Sequence, residues 1–200
     1  MDPKDIDFAA MPQKAISVIT KPAEFFQSME KTGGYVEPLV FAVIMGLVTG
    51  VVQAVLGIFG LGQPGGISYG LSSIIMMPIA VAIGSFIGAA IMFAIWKLMG
   101  SAENYETSYR ACAYTMTLLP ITVIFGVIPY AGVVITAAIG LFYVVKVSVH
   151  VHRIPEQRAW LVFGIIIAIM LLLSLYSQLK IRRMMPYGAA GWSVSRQISA

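Results

Sequence analysis

Five side chains offer the only metal chemistry the sequence suggests: His150 and His152, two residues apart, with Glu103, Glu106 and Glu156 in reach of the same membrane face. On a helix, residues two apart point about 200° away from each other, so both imidazoles would bind one ion only from extended chain. No HExxH pattern, the usual helical zinc-hydrolase arrangement, is present. Cys112 is the single cysteine and excludes an intrachain disulfide. A thiol nucleophile needs a neighbour that lowers its pKa, and Arg110 two residues away is the sole cation near it in sequence. The run Gly62–Gly66, GQPGG, has no following Lys-Ser/Thr and is not a phosphate cradle. The reading is that the chain is not an enzyme and that it holds no metal and no cofactor.

The elements that must carry these residues are hydrophobic. Of 200 residues 58% are hydrophobic and 11% charged, and the mean hydropathy is +0.86. Soluble domains hold nearer 45–50% apolar and about 25% charged residues, and so small a chain keeps much of its surface in contact with solvent. That solvent must be lipid. The net charge of +4 clusters outside the apolar runs and reads as membrane orientation rather than nucleic-acid binding. The N-terminus, MDPKDIDFAAMPQKAIS, lacks the basic start and apolar run of a cleaved signal peptide.

A crossing takes about 20 mostly apolar residues. Five candidates stand near 38–60, 71–99, 111–128, 130–149 and 159–179. The apolar stretch Arg110–Val147 would run about 57 Å as one helix, about twice the hydrocarbon thickness. It must turn back, and Pro129 and Gly132 mark the place. Pro120 predicts a kink or break within the third span. Lys4, Lys14, Lys21 and Lys31 precede span one; Lys97 and Arg110 lie between spans two and three; Lys146, Arg153 and Arg158 follow span four. The other loops carry no charge, so the positive-inside bias puts the N-terminus in the cytoplasm. Lys180, Arg182, Arg183 and Arg196 after span five run against that alternation. Before span one, Pro22, Phe25, Phe26 and Met29 share one helical face, an amphipathic helix expected to lie in the membrane interface until Gly33 and Gly34 stop it. The expected organisation is a cytoplasmic segment over residues 1–34, a membrane domain over 35–180 and a polar tail over 181–200.

Several stretches resemble the Yip family, the Ypt/Rab-interacting polytopic membrane proteins and their prokaryotic relatives. KPAEFFQSMEKTGGYVEPLVFAVIMG is similar to the family's opening segment; SYRACAY with its following proline, VIPYAG, and VKVSVHVHRIPEQRAW are similar to its third span, turn and last loop. The likeness covers about residues 12 to 180, and the order of the motifs carries it. The spacing from Tyr114 to Pro120 is longer than in the family pattern. The resemblance implies five spans, a cytoplasmic N-terminus and a non-enzymatic role, which in eukaryotic members lies in vesicle traffic; the short N-terminal region resembles the prokaryotic type and implies an inner (plasma) membrane.

Three residue sets are candidate sites. Lys97, Glu103, Glu106, Tyr109, Arg110, His150, His152, Arg153 and Arg158 would form a cytoplasmic surface for a protein partner or anionic headgroups. Gln53, Thr115, Thr117, Pro120 and Thr122 would form an intramembrane polar seam. Gly46, Gly50, Gly84 and Gly88 are small-residue faces for packing within the bundle or against a second copy. No acidic or basic residue falls at an expected midplane, which argues against a proton-coupled pump. The fold expected is an all-α integral membrane bundle of five transmembrane helices with an N-terminal interfacial helix. Its partners are the lipid bilayer and other membrane proteins or a homodimer, with no nucleic acid. A scaffold acting through the cytoplasmic face is the leading reading; a small lipid or solute translocator is the alternative.

Overall fold

The computed structural model describes residues 7–61 and 66–184. Residues 62–65 of the GQPGG run and the polar tail beyond 184 lie outside these. Among the described residues the chain is all-helical. After a 3-10 turn at Phe8–Ala10 come α1 (Met11–Thr20), α2 (Pro22–Ser28), α3 (Val36–Ile58), α4 (Gly66–Leu98), α5 (Tyr105–Thr115), α6 (Leu119–Gly126), α7 (Ala131–His150) and α8 (Glu156–Met184). Four of these, α3, α4, α7 and α8, are long and apolar enough to cross a membrane. The expected third span is divided: a 3-10 turn at Met116–Leu118 separates α5 from α6. Pro120 then sits in the first turn of α6, where its missing N–H has no helical partner to lose, so the proline opens a helix instead of kinking one.

α3 and α4 pair antiparallel at close range, and glycine permits it. A Cβ on Gly50 would stand 2.5 Å from the Ser73 carbonyl oxygen, and one on Gly46 3.1 Å from the Pro78 Cα. The Ser73 hydroxyl bonds the Gly50 carbonyl across the pair at 3.0 Å. Gly84 and Gly88, by contrast, have nothing within 4 Å of an added Cβ. The two expected small-residue faces therefore part company: Gly46 and Gly50 pack inside the chain, whereas Gly84 and Gly88 stay open. α4 turns Ile75, Ile79, Ile83, Ile87 and Ile91 outward, all at least half exposed, which only hydrocarbon makes tolerable.

α6 turns into α7 through Pro129 and Tyr130, the latter at φ 60°. A Cβ on Gly132 would come within 2.1 Å of the Phe125 carbonyl oxygen, so this hairpin requires glycine there. The loops sort to two ends. Residues 7–35, 99–104 and 151–155 meet at one, here the near end; residues 59–61 and 127–130 lie at the other, the far end.

α2 forms the apolar face expected of it, but that face meets protein. Phe26 and Met29 are buried, Phe25 stands edge-on to Tyr114 at 5.2 Å, and α2 packs against α7. α1, unanticipated from the sequence, runs beside it and receives a hydrogen bond from Tyr143 Oη at the Val18 carbonyl, 3.1 Å.

Gly50→Ala is expected to cost about 1–3 kcal/mol of stability by overpacking, seen as a lower thermal unfolding midpoint in detergent. Gly84→Ala, with open space around it, leaves the midpoint unchanged or raises it.

Candidate functional site

The near end is organised by a buried cation. Arg110, in α5, is 1% exposed. A buried guanidinium must find acceptors or carry a large desolvation penalty, and all three of its nitrogens do. Nε donates to the Glu30 carbonyl at 2.8 Å and Nη1 to the Gly34 carbonyl at 3.1 Å. Nη2 donates to Glu37 Oε2 at 3.0 Å. The second Glu37 oxygen accepts from Tyr114 Oη at 3.1 Å and from Lys14. Glu37 opens α3, Lys14 lies on α1 and Tyr114 on α5, so this one cluster ties three helices together. The chain between α2 and α3 wraps the guanidinium with Gly33 at φ 122° and Gly34 at φ 84°, a left-handed pair that side chains disfavour. Glu106 Oε1 accepts the Gly34 N–H at 2.6 Å. A cavity of about 330 Å³ lies over the cluster, lined by Lys14, Ser28, Glu30, Glu37, Arg110 and Tyr114 among others.

A second knot joins the ends of α4 and α7. Trp96 Nε1 donates to Ser148 Oγ at 2.8 Å. The His152 ring stacks on the Trp96 indole at 4.0 Å, and its Nδ1 lies 2.8 Å from Ser101 Oγ. His152 Nε2 is buried with no partner among the described residues. Burial pushes this imidazole from 6.5 down to about 4; Glu103 opposes the fall, while Lys31 and Lys97 add to it. Lys31 Nζ pairs with Glu103 at 2.5 Å and also reaches the Val151 carbonyl, so the N-terminal segment is bound to both other loops.

The expected partner surface therefore divides. Lys97, Arg153 and Arg158 are exposed; Lys97 lies over the Phe93 ring and Arg158 Nη1 donates to the Met99 carbonyl at 3.1 Å. Glu103, Glu106 and His150 are half-buried. Tyr109, Arg110 and His152 are buried and present nothing to a partner from where they stand. Tyr109 stacks on Phe86 at 4.3 Å. The correction has a physical reason: a cation beside a span reads as a loop charge unless its counter-ion is known, and here the counter-ion lies 73 residues upstream in Glu37. Glu37, Lys14 and Tyr114 escaped the sequence reading. The available signal was an acid in the first turn of an apolar span, which calls for a cation. Among the described residues no three His, Cys, Asp or Glu side chains gather closely enough to hold a metal ion.

The expected polar seam divides as well. Gln53 and Thr122 come together in a cavity of about 230 Å³ at the far end, joined by Tyr69 and Thr136. Gln53 Oε1 is buried there with no hydrogen-bond partner among the described residues. Thr115 and Thr117 are not part of that cavity; they donate to the Cys112 and Tyr114 carbonyls of their own turn. Pro120 lies outside it too. Between α4 and α7 runs a second cavity of about 350 Å³, apolar, lined by Gly88, Met92, Leu119, Gly140 and Val144 among others and ending at Trp96.

Compared with known families, the chain matches the Yip1 domain over residues 16–177. No curated protein and no solved structure matches it.

Removing the Arg110 guanidinium leaves Glu37 buried beside Lys14 alone. Arg110→Met is expected to destabilise the protein by about 3–5 kcal/mol, and Arg110→Lys should not restore it because an ammonium cannot span the same acceptors. Both are read from unfolding midpoints in detergent. His152 gives a pH signature. Above pH 6.5 folded and unfolded chains both hold it neutral. As pH falls below 6.5 the unfolded chain takes up the proton, and the folded one does so only near 4. Stability is thus lost through that window, by roughly 3 kcal/mol in full. The midpoint of His152→Phe should fall less between pH 6.5 and 4 than that of the parent.

Proposed function

The chain belongs to the Yip family, and from that premise we propose that this multi-pass membrane protein works without catalysis, as a scaffold or adaptor that organises a membrane complex through its near end. The observation that carries the reading is the near-end platform. Three separate segments are locked there by Arg110, Glu37, Lys31, Glu103 and His152. Rigidity of that kind serves a surface that must present a fixed shape to a partner. The exposed cations Lys97, Arg153 and Arg158 rim it, together with the apolar residues Phe8, Ile16 and Ile19 of the N-terminal segment. We place this end in the cytoplasm, in a prokaryotic inner membrane, because the loops described at the far end carry no charge. We also count five crossings. Tyr105 to Gly126 is one nearly continuous helical path, about 33 Å long at 1.5 Å per residue. It begins beside the near-end loops and ends against the far end of the bundle. α1 and α2 would lie at the membrane surface.

The alternative, translocation along the polar seam, needs a hydrophilic path from one end to the other. The inner cavity is apolar and stops at the bonded pair Trp96 and Ser148, which favours the scaffold.

The test is the mass of the protein extracted from its native membrane in mild detergent, with co-purifying proteins identified. A protein partner at fixed stoichiometry is expected, and it should be lost on charge reversal of Arg153 and Arg158 together. A lone monomer or homodimer would overturn the scaffold. Labelling of single cysteines placed at position 153 and at position 128 in intact cells should mark only the latter from outside.

A further inference from the structure

The two cavities flanking α6 and α7 meet at Thr122, which lines both, and together trace a furrow. α6 gives Thr122, Val123 and Gly126 to the outer cavity, and Leu119 and Thr122 to the inner. α7 gives Gly132, Val133 and Thr136 to the outer, then Gly140, Tyr143 and Val144 to the inner. These positions recur at three and four residues, so each helix lines both cavities with a single face. The furrow begins at the far end and runs inward along α7 until Trp96 closes it.

Its chemistry changes along its length. The outer half is lined by neutral polar groups: the Gln53 amide, the Tyr69 phenol and the Thr122 and Thr136 hydroxyls. Gln53 Oε1 has no donor, and the hydroxyl protons of Thr122 and Thr136 already go to the Leu119 and Val133 carbonyls at 2.9 and 3.1 Å, leaving oxygen lone pairs free. Among the described residues no charged side chain lines it. The inner half is apolar and lies open along one side. Gly88, half-buried in its lining, neighbours Ile87 and Ile91, which α4 turns outward at 59% and 58% exposure, so this part of the lining adjoins the lipid-covered surface.

We propose that this furrow is a binding site for one lipid of the far leaflet, whose zwitterionic head ends in a primary ammonium. The acyl chain lies between α4 and α7, and the ammonium N–H groups donate to Gln53 Oε1 and to the threonine oxygens. Polarity decides the direction: head at the membrane surface, chain inward, as in the surrounding leaflet. Charge decides the head. The lipid's own phosphate balances its ammonium, so the protein need supply only neutral acceptors. An anionic head would meet no cation, and a choline head has no N–H to give. The site is distinct from the near-end platform and does not depend on its partner.

Native mass spectrometry of the purified full chain tests this in an equal mixture of dioleoyl lipids with ethanolamine, choline and glycerol heads. The ethanolamine lipid should be retained one per protomer, about tenfold over choline, the loss expected for a missing hydrogen bond to a charged group. Gln53→Leu should abolish that preference. Gly140→Leu should abolish the adduct itself without lowering the lipid-free unfolding midpoint, because the backbone there has open space for a side chain to start, nothing lying within 4 Å of an added Cβ. Gly84→Leu, on the open face of α4, should behave as the parent. Equal retention of ethanolamine and choline lipids by the parent, preference for the glycerol head, or an adduct that survives Gly140→Leu would each overturn the proposal.

Discussion

A guanidinium held out of water with no partner is among the least tolerable things a protein can contain, and the architecture of the near end follows from satisfying Arg110. The side chain stands where α5 meets α1, α2 and α3, and its acceptors come from the Glu30 and Gly34 carbonyls and the Glu37 carboxylate. Those acceptors can be offered together only if the chain between α2 and α3 folds back over α5. Gly33 and Gly34 provide the backbone freedom for that fold-back, and Glu106 and Thr107 fasten it from the other side. Once the segment is fixed, Lys31 reaches Glu103 and the Val151 carbonyl, which draws the remaining loops into the same layer. A buried ion pair is weak evidence for added stability, but breaking one is costly. The arrangement therefore acts as a register device: the N-terminal helices have one place to dock.

The two ends of the bundle answer to different solvents. At the near end, polar groups are numerous and are paired with each other, because loops there must leave the hydrocarbon yet stay compact. At the far end, the described loops are short and uncharged. Between them the helices obey lipid packing rules. Glycine brings α3 and α4 into contact, and the serine on α4 bonds across the gap. Where glycines instead face open space, at Gly88 and Gly140, the helices stand apart and leave a furrow. The same residue type thus closes one helix pair and leaves a gap beside another, and only the neighbours distinguish the cases.

Much of the architecture was legible in the sequence. Hydropathy pointed to five spans, because an apolar run long enough to cross is a local sum over consecutive residues, and four helices of the structure meet that measure. The turn at Pro129 and Gly132 was readable because proline and glycine act on the backbone within a few residues. The apolar face of α2 was readable from its spacing; what covers it was not, since spacing says nothing about whether protein or lipid lies opposite. The break in the third span was placed at Pro120, and the structure puts it just before, in the 3-10 turn that hands α5 to α6.

The candidate sites were less legible, and the reason is range. Arg110, Tyr109 and His152 were grouped with exposed loop charges because their positions in the chain are those of loop residues. Their burial depends on Glu37, Phe86 and Trp96, which lie in other helices. Gln53 was marked as out of place in an apolar run, which is a local judgement. That Thr122 and Thr136 join it, while Thr115 lines the inner cavity and Thr117 lines neither, follows only from how α3, α6 and α7 meet. The sequence alone determined that the chain lives in a membrane, roughly where its four long apolar helices lie, and which polar residues lipid would tolerate poorly. The tertiary structure decided which charges face water and which face each other, because pairing energies act through space between residues that the order of the chain keeps far apart.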